Sequence, residues 1–309
     1  MPDILVGSPI SAGDRPSAVW GSDATAINPV PNTTYAAGSP EVSATFTAPT
    51  SGAVLVSVGL GGSGLAGGQR VLVTPEVRET DVSGAVVLAA NTTTEVLRGC
   101  AVPGQATANA HRSRTTLLTG LTAGAPYFVR TMHRATGAGT ANIAVREVVV
   151  TPTPLGSSAA GRPVRALDYP PAVWAQDATA ISNPSNSSYA TGSPEVSVTF
   201  MAPTSGRVLL VVGGGLGQSA GADRIFLSPK VQETDSSGAV VLSPSVTSRG
   251  FGSDNCSVGP HYGSRESVLE GLTPGQVYYA VVQYAVATGD SGSSSADISC
   301  REIIVASLP

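Results

Sequence analysis

Lysine is almost missing from this chain: Lys230 is the sole lysine among 17 Lys and Arg residues. Charged residues make up only 12% of 309 positions, and the formal net charge is −4. Without a basic block, an electrostatic stripe for nucleic acid is not expected. Low charge combined with 41% hydrophobic residues also argues against disorder, which needs the opposite balance. Cysteine is scarce as well. Cys100, Cys256 and Cys300 form no close pair, so they give neither a disulfide framework nor zinc-ligand spacing. No apolar run is long enough to span a membrane. The opening Met1-Pro2-Asp3-Ile4-Leu5-Val6 lacks a basic segment and a long apolar stretch, so it does not read as a secretory signal. Synthesis in the cytoplasm is the expectation.

What is present is a duplication. Trp20 recurs as Trp174, and at the same spacing Asp23-Ala24-Thr25-Ala26-Ile27 recurs as Asp177-Ala178-Thr179-Ala180-Ile181. Gly38-Ser39-Pro40-Glu41-Val42-Ser43 matches Gly192-Ser193-Pro194-Glu195-Val196-Ser197, and Ala48-Pro49-Thr50-Ser51-Gly52 matches Ala202-Pro203-Thr204-Ser205-Gly206. Tyr35 matches Tyr189, Arg70 matches Arg224, and Arg146-Glu147 matches Arg301-Glu302. The repeat is too long for a solenoid unit and has the size of a domain. We therefore expect an N-terminal arm plus first repeat over 1–153, a linker over 154–160 and a second repeat over 161–309.

Each repeat reads as β. Short runs rich in Val, Ile, Leu, Thr and Tyr alternate with Gly, Pro, Ser and Asp clusters. Strands are predicted at 42–47, 53–58, 70–79, 85–89, 115–118, 126–133 and 142–150, with no helical stripe of useful length. Pro49-Thr50-Ser51-Gly52 is a turn, with proline fixing φ and glycine permitting positive φ. The fold class is all-β: two tandem homologous antiparallel β-sandwiches of jelly-roll-like type. Val208-Leu209-Leu210-Val211-Val212 is apolar on both faces. An antiparallel strand of that kind predicts that its outer face meets another subunit or domain, with cover by a long loop as the alternative.

Several motifs imitate chemistry. Gly59-Leu60-Gly61-Gly62-Ser63-Gly64 fits a dinucleotide fingerprint, but a further strand rather than a helix follows it. A flexible inter-strand loop is the simpler expectation. Gly217-Gln218-Ser219-Ala220-Gly221 fits a nucleophile elbow, yet its counterpart of Ser219 is Leu65 and no helix follows. His111, His133 and His261 are unrepeated and have no metal-ligand spacing, so they are expected to be solvated strand or loop residues. Glu79-Thr80-Asp81 and its counterpart Glu233-Thr234-Asp235 lack the dense oxygen ligands of a calcium loop. The repeated Trp20, Trp174, Asp23, Asp177, Tyr35, Tyr189, Arg70, Arg224, Arg146, Glu147, Arg301 and Glu302 are read as framework. Turn capping, ion pairs and packing of the N-terminal arm are their expected roles, with no cofactor or metal. Stacking of the repeated Trp and Tyr on sugar rings is the alternative.

Three stretches carry a family resemblance. They are Tyr189-Ala190-Thr191-Gly192-Ser193-Pro194-Glu195-Val196 with the following Phe200 to Gly215, Ser264 to Tyr279 with Leu272-Thr273-Pro274-Gly275 inside it, and the closing Arg301-Glu302-Ile303-Ile304-Val305. Together they resemble a family of virion structural proteins from tailed phages of actinobacteria. The Phe-x-Ala-Pro-x-Ser-Gly hairpin is also distantly similar to trimeric jelly rolls of the complement and tumour-necrosis-factor type. The resemblance implies a non-enzymatic virion structural protein at the virion surface, with capsid decoration or head-fibre as the leading role. Its partners would be the major capsid protein or other virion proteins, in a homo-oligomer for which a trimer is one candidate. A tail accessory role, or a receptor- or glycan-binding module with its site on Gly-rich loops 59–69 and 213–223, is the alternative.

Overall fold

Gly52 and Gly206 close their hairpins at φ +63° and +66°, a backbone conformation that side chains disfavour. A Cβ on either would also lie 2.5 Å from a backbone oxygen, of Leu121 or Leu272. The two turns thus fix where the same two strands begin in each copy. A computed structural model describes residues 14, 16–64, 69–102, 110–137, 141–153, 168–218, 224–245, 247–252, 260–286 and 296–308. The expected linker and most of the expected N-terminal arm lie outside these residues.

The first repeat contains β1 (Val19–Asp23), β2 (Ala36–Ala37), β3 (Ser43–Thr47), β4 (Val54–Gly64), β5 (Val71–Glu79), β6 (Val86–Leu88), a short helix α1 (Thr92–Arg98), β7 (Cys100–Val102), β8 (Ala110–Leu118), β9 (Pro126–Ala135) and β10 (Ala141–Pro152). The second contains β11 (Val173–Asp177), β12 (Ile181–Ser182), β13 (Ala190–Thr191), β14 (Ser197–Met201), β15 (Val208–Gln218), β16 (Ile225–Glu233), β17 (Val240–Leu242), β18 (Phe251–Gly252), β19 (His261–Leu269), β20 (Val277–Val286) and β21 (Ala296–Ser307). In the first repeat one sheet has the order β1-β10-β4-β8 and the facing sheet β2-β9-β5-β6, with β3 also on β9 and β7 on β5. The second repeat follows the same plan, β11-β21-β15-β19 and β13-β20-β16-β17, with β12 on β21, β14 on β20 and β18 on β16. The long strands pair antiparallel and successive ones mostly alternate between sheets. Each repeat is therefore an antiparallel β-sandwich of jelly-roll type.

Alternation along each strand builds the cores. On β4, Val54, Val56, Val58 and Leu60 face the partner sheet and are buried. On β15, Leu210, Val212 and Leu216 do the same. Phe46 stacks on Tyr127 at 5.6 Å, and Phe200 stacks on Tyr278 at 5.7 Å in the corresponding place. Each aromatic pair adds about 1 kcal/mol beyond its buried area. Both tyrosine hydroxyls also accept a backbone N–H across the neighbouring turn, from Thr122 and from Thr273.

Two sequence expectations need correction. Residues 59–64 are not a loop, because β4 continues to Gly64 with Gly59 opposite Glu147 and Gly62 opposite Ile143. Glycine permits the close approach: a Cβ on Gly62 would lie 2.5 Å from the Asn142 carbonyl oxygen, and one on Gly214 as close to that of Cys300. Residues 213–218 likewise belong to β15, while 65–68 and 219–223, including Ser219, lie outside the described residues. The second correction is α1, which carries no amphipathic stripe. Asn91 caps it by accepting from the Thr94 N–H at 2.9 Å, and Gly99 ends it.

Replacing Gly52 or Gly206 with alanine should lower stability by about 1–3 kcal/mol, because both the dihedral and the backbone contact oppose a Cβ. Gly120→Ala should cost less, since Gly120 shares positive φ but has open space around it. Urea unfolding of the three variants checks this order.

Candidate functional site

The repeated charges build the same lock twice. Arg146 and Arg301 are fully buried, and each donates from Nη2 to an aspartate at the sheet edge. Arg146 reaches Asp23 at 2.8 Å and Arg301 reaches Asp177 at 2.6 Å. Each guanidinium also donates to a proline carbonyl, of Pro40 at 3.1 Å and Pro194 at 2.9 Å. The aspartates in turn accept from the backbone N–H and hydroxyl of Thr25 or Thr179. A Cβ on Gly38 or Gly192 would fall 1.5 or 1.8 Å from the arginine Nη1, which accounts for the repeated glycines. Tyr35 is bonded to Glu95 of α1, while Arg134 pairs with Glu95 at 2.6 Å and lies over the Tyr35 ring. Burial first, then Glu95, raises the Tyr35 pKa. Tyr189 is half-buried, and among the described residues its repeat has no counterpart of α1.

Glu302 and Glu147 occupy equivalent positions but have different fates. Glu302 lies on the outer face of its sheet, where the first repeat covers it. Fully buried Arg114, on the edge strand β8, places Nη2 3.1 Å from Glu302 Oε2. Arg114 Nη1 donates to the Val96 carbonyl at 2.7 Å, and the Cys300 thiol donates to the same carbonyl at 3.0 Å. Burial opposes the Arg114 charge, but Cys300 and Glu302 more than offset it and the pKa is raised. Arg98 stacks over Trp174 at 5.6 Å and donates to the Leu117 carbonyl. Gln176 donates to the Leu97 carbonyl, Arg70 to the Pro260 carbonyl, and the Thr115 N–H to Ser264 Oγ. Leu55 and Leu117 of the first repeat close a small apolar cluster with Val211, Ile304 and Ala306 of the second. The doubly apolar strand read from Val208 to Val212 thus covers its outer face with the other repeat. Arg224, the counterpart of Arg70, is exposed and lies over Phe226.

On the equivalent outer face of the first repeat, the second repeat covers Leu55 and Thr115, while the part over β1 and β10 is uncovered among the described residues. Glu147 is exposed on β10, and Trp20 on β1 is 68% exposed. Between β10 and the edge strand β8 lies a pocket of about 220 Å³ over Gly59, walled by His111, Ser113, Val145 and Glu147.

The expectation of solvated histidines fails at two of three positions. His111 is exposed, but His133 on β9 and His261 on β19 are buried. Strand alternation, not composition, carries them inward. Burial, followed by the Arg146 charge, pushes His133 down to about 4. Burial, followed by Arg112 and Arg70, does the same to His261. Cys100 and Cys300 are buried, with burial pushing the Cys100 thiol up to about 12, and Cys256 lies outside the described residues. Asp81 and Asp235 each accept from the N–H and hydroxyl of the serine two residues on, forming turn caps. Among the described residues no three His, Cys, Asp or Glu side chains group as metal ligands. Sequence reasoning missed the contribution of α1 to the contact between repeats; Asn91, Glu95 and the Arg98-Gly99 ending were its only signals.

The chain matches no protein-family model and no curated protein. Among solved structures it is similar to the CBM22-1–CBM22-2 tandem domain of Xyn10C from Paenibacillus barcinonensis, at 9% identity over 98% of this chain and 97% of that one, with a TM-score of 0.26. It is also similar to VP2 of the infectious bursal disease virus subviral particle, at 10% identity over 99% and 76% of the two chains, TM-score 0.28. A third is PNGF-II, at 9% identity over 94% and 66%, TM-score 0.36. Scores this low say nothing about what the chain binds or does.

Glu302→Gln should cost about 3–5 kcal/mol, because Arg114 is left charged, buried and unpaired. The matching Glu147→Gln should stay within about 0.5 kcal/mol; chemical denaturation compares the two. Acid should weaken the fold through the histidines. Their folded pKa lies below the unfolded value, so the unfolded chain takes up protons first as pH falls. Stability is intact above about 6.5 and is lost towards pH 4, by on the order of 3 kcal/mol per histidine. Unfolding across this window should flatten in a His133→Gln/His261→Gln variant.

Proposed function

We propose that this chain is a non-enzymatic bacteriophage virion structural protein. It binds the capsid surface as a decoration or head-fibre protein, with the major capsid protein or another virion protein as partner. The observation that carries this reading is what the duplication kept. Asp23 with Arg146 and Asp177 with Arg301 hold strands together in the sandwich interior. These two aspartate–arginine pairs, kept in both copies, serve rigidity. The family resemblance of the Tyr189–Gly215, Ser264–Tyr279 and Arg301–Val305 stretches supplies the virion context. Rigid jelly rolls with little charge suit a protein whose work is to cover a surface and withstand handling. Attachment would use the N-terminal arm, roughly residues 1–20, together with exposed sheet faces.

The test is binding of purified full-length chain to phage heads prepared without it. Saturable binding to heads, abolished by deleting residues 1–15, is the expected result. Immunogold label confined to tails, or full occupancy by the truncated chain, would overturn capsid attachment through the arm.

A further inference from the structure

The contact between the two repeats uses a different surface on each. The first repeat offers its β8 edge, α1 and the adjoining Leu55 of β4, and the second offers the outer face of the β11-β21-β15-β19 sheet, Ser264 of β19 included. A joint of this head-to-tail kind leaves one unused surface of each type when it is built from two copies of one domain. Leu55, Thr115, Ser264 and Glu266 are already engaged within the chain, so the docking positions left over on the second repeat are Arg249, Arg265 and Val268, and the receiving positions left over on the first are Trp20 and Glu147.

The residues of these two surfaces correspond to those already joined. Arg265 on β19 is the counterpart of Arg114 and is exposed. It is held in a similar way, with Nη1 donating to the Gly250 carbonyl at 3.2 Å where Arg114 donates to Val96. Glu147 is the counterpart of Glu302, and neither Glu147 nor Arg265 forms an ion pair among the described residues. Arg249 is the counterpart of Arg98 and donates to the Val268 carbonyl as Arg98 does to Leu117. Its stacking partner would be Trp20, the counterpart of Trp174, which stands 68% exposed. Val268, the counterpart of buried Leu117, is 38% exposed. The pocket of about 220 Å³ over Gly59 lies beside Glu147, where the second repeat has Gly213, Glu302 and the inserted Arg114 guanidinium.

We infer that the second repeat of one chain docks on the first repeat of a second copy, pairing Arg265 with Glu147 and Arg249 with Trp20. The occupant is another copy of this chain because charge, cation–π partner and pocket all match the joint that the chain already contains. The joint is directional, so association produces closed rings or open filaments. Differences between the copies tune it: His111 stands where the second repeat has Tyr262, Val145 where it has Cys300, and a turn at 247–249 where the first repeat has α1. The resulting interface is more polar than the internal one, which fits an assembly joint weaker than the link within a chain.

The experiment uses the full-length chain in sedimentation velocity and light scattering over a concentration series. Species at multiples of 30.9 kDa are expected. Arg265→Glu and Glu147→Arg, both at exposed positions, should each weaken association on the order of 100-fold. Combining the two reversals in one chain should recover much of it. In a Trp174→Phe background the remaining Trp20 emission should shift to the blue as assembly proceeds. A monomer at all concentrations up to the order of 100 µM would overturn the inference. So would association that both single reversals leave unchanged, or a folded double variant that recovers nothing.

Discussion

Arg114 gives up all its water where the two sandwiches meet, and Glu302 is the charge that compensates it. Desolvating two ions costs several kcal/mol each, so the pair is tolerable only with good geometry and with its other donors satisfied. The Val96 carbonyl meets that need, and it is in place because α1 turns the chain there. The relation between the repeats therefore depends on an interaction that is weak as a source of stability and strong as a specifier. An apolar face could slide across another, whereas a buried charge facing a single carboxylate has a single register.

The duplication separated two kinds of position. Inside each sandwich the copies remain alike: the Asp–Arg lock, the Phe–Tyr stack and the positive-φ hairpin glycines recur with nearly the same geometry. On the outer faces they diverged. Leu209, Val211, Ile304 and Ala306 cover the second repeat's sheet with aliphatic surface, where the first repeat places Leu55, Ser57, Val149 and Thr151. Interior positions resist change because close packing leaves no room for it. An outer face changes as soon as its partner does.

Much of the architecture was legible. Short runs of Val, Ile, Leu, Thr and Tyr between turn residues predicted seven of the ten strands described in the first copy and missed β1, β2 and β7, and the double-sided apolar strand pointed to a covered outer face. The glycine tract at 59–64 was misread because glycine signals both flexible loops and tightly approached strands, and only the neighbouring Asn142 carbonyl distinguishes them. The burial of His133 and His261 was hidden for a related reason. Alternation shows that a strand residue faces one side or the other, but which side is interior depends on the sheet it joins. The helix α1 was too short to build a periodic signal.

The sequence by itself determined the duplication, the β class and the positions of the turns, because these follow from local backbone preferences and side-chain alternation. Only the tertiary structure decided that Arg114 meets Glu302 while Arg265 and Glu147 stay apart. All four carry the same local signals as their counterparts. What distinguishes them is which edge is laid against which face, and that choice is made by packing between segments nearly 190 residues apart in the chain.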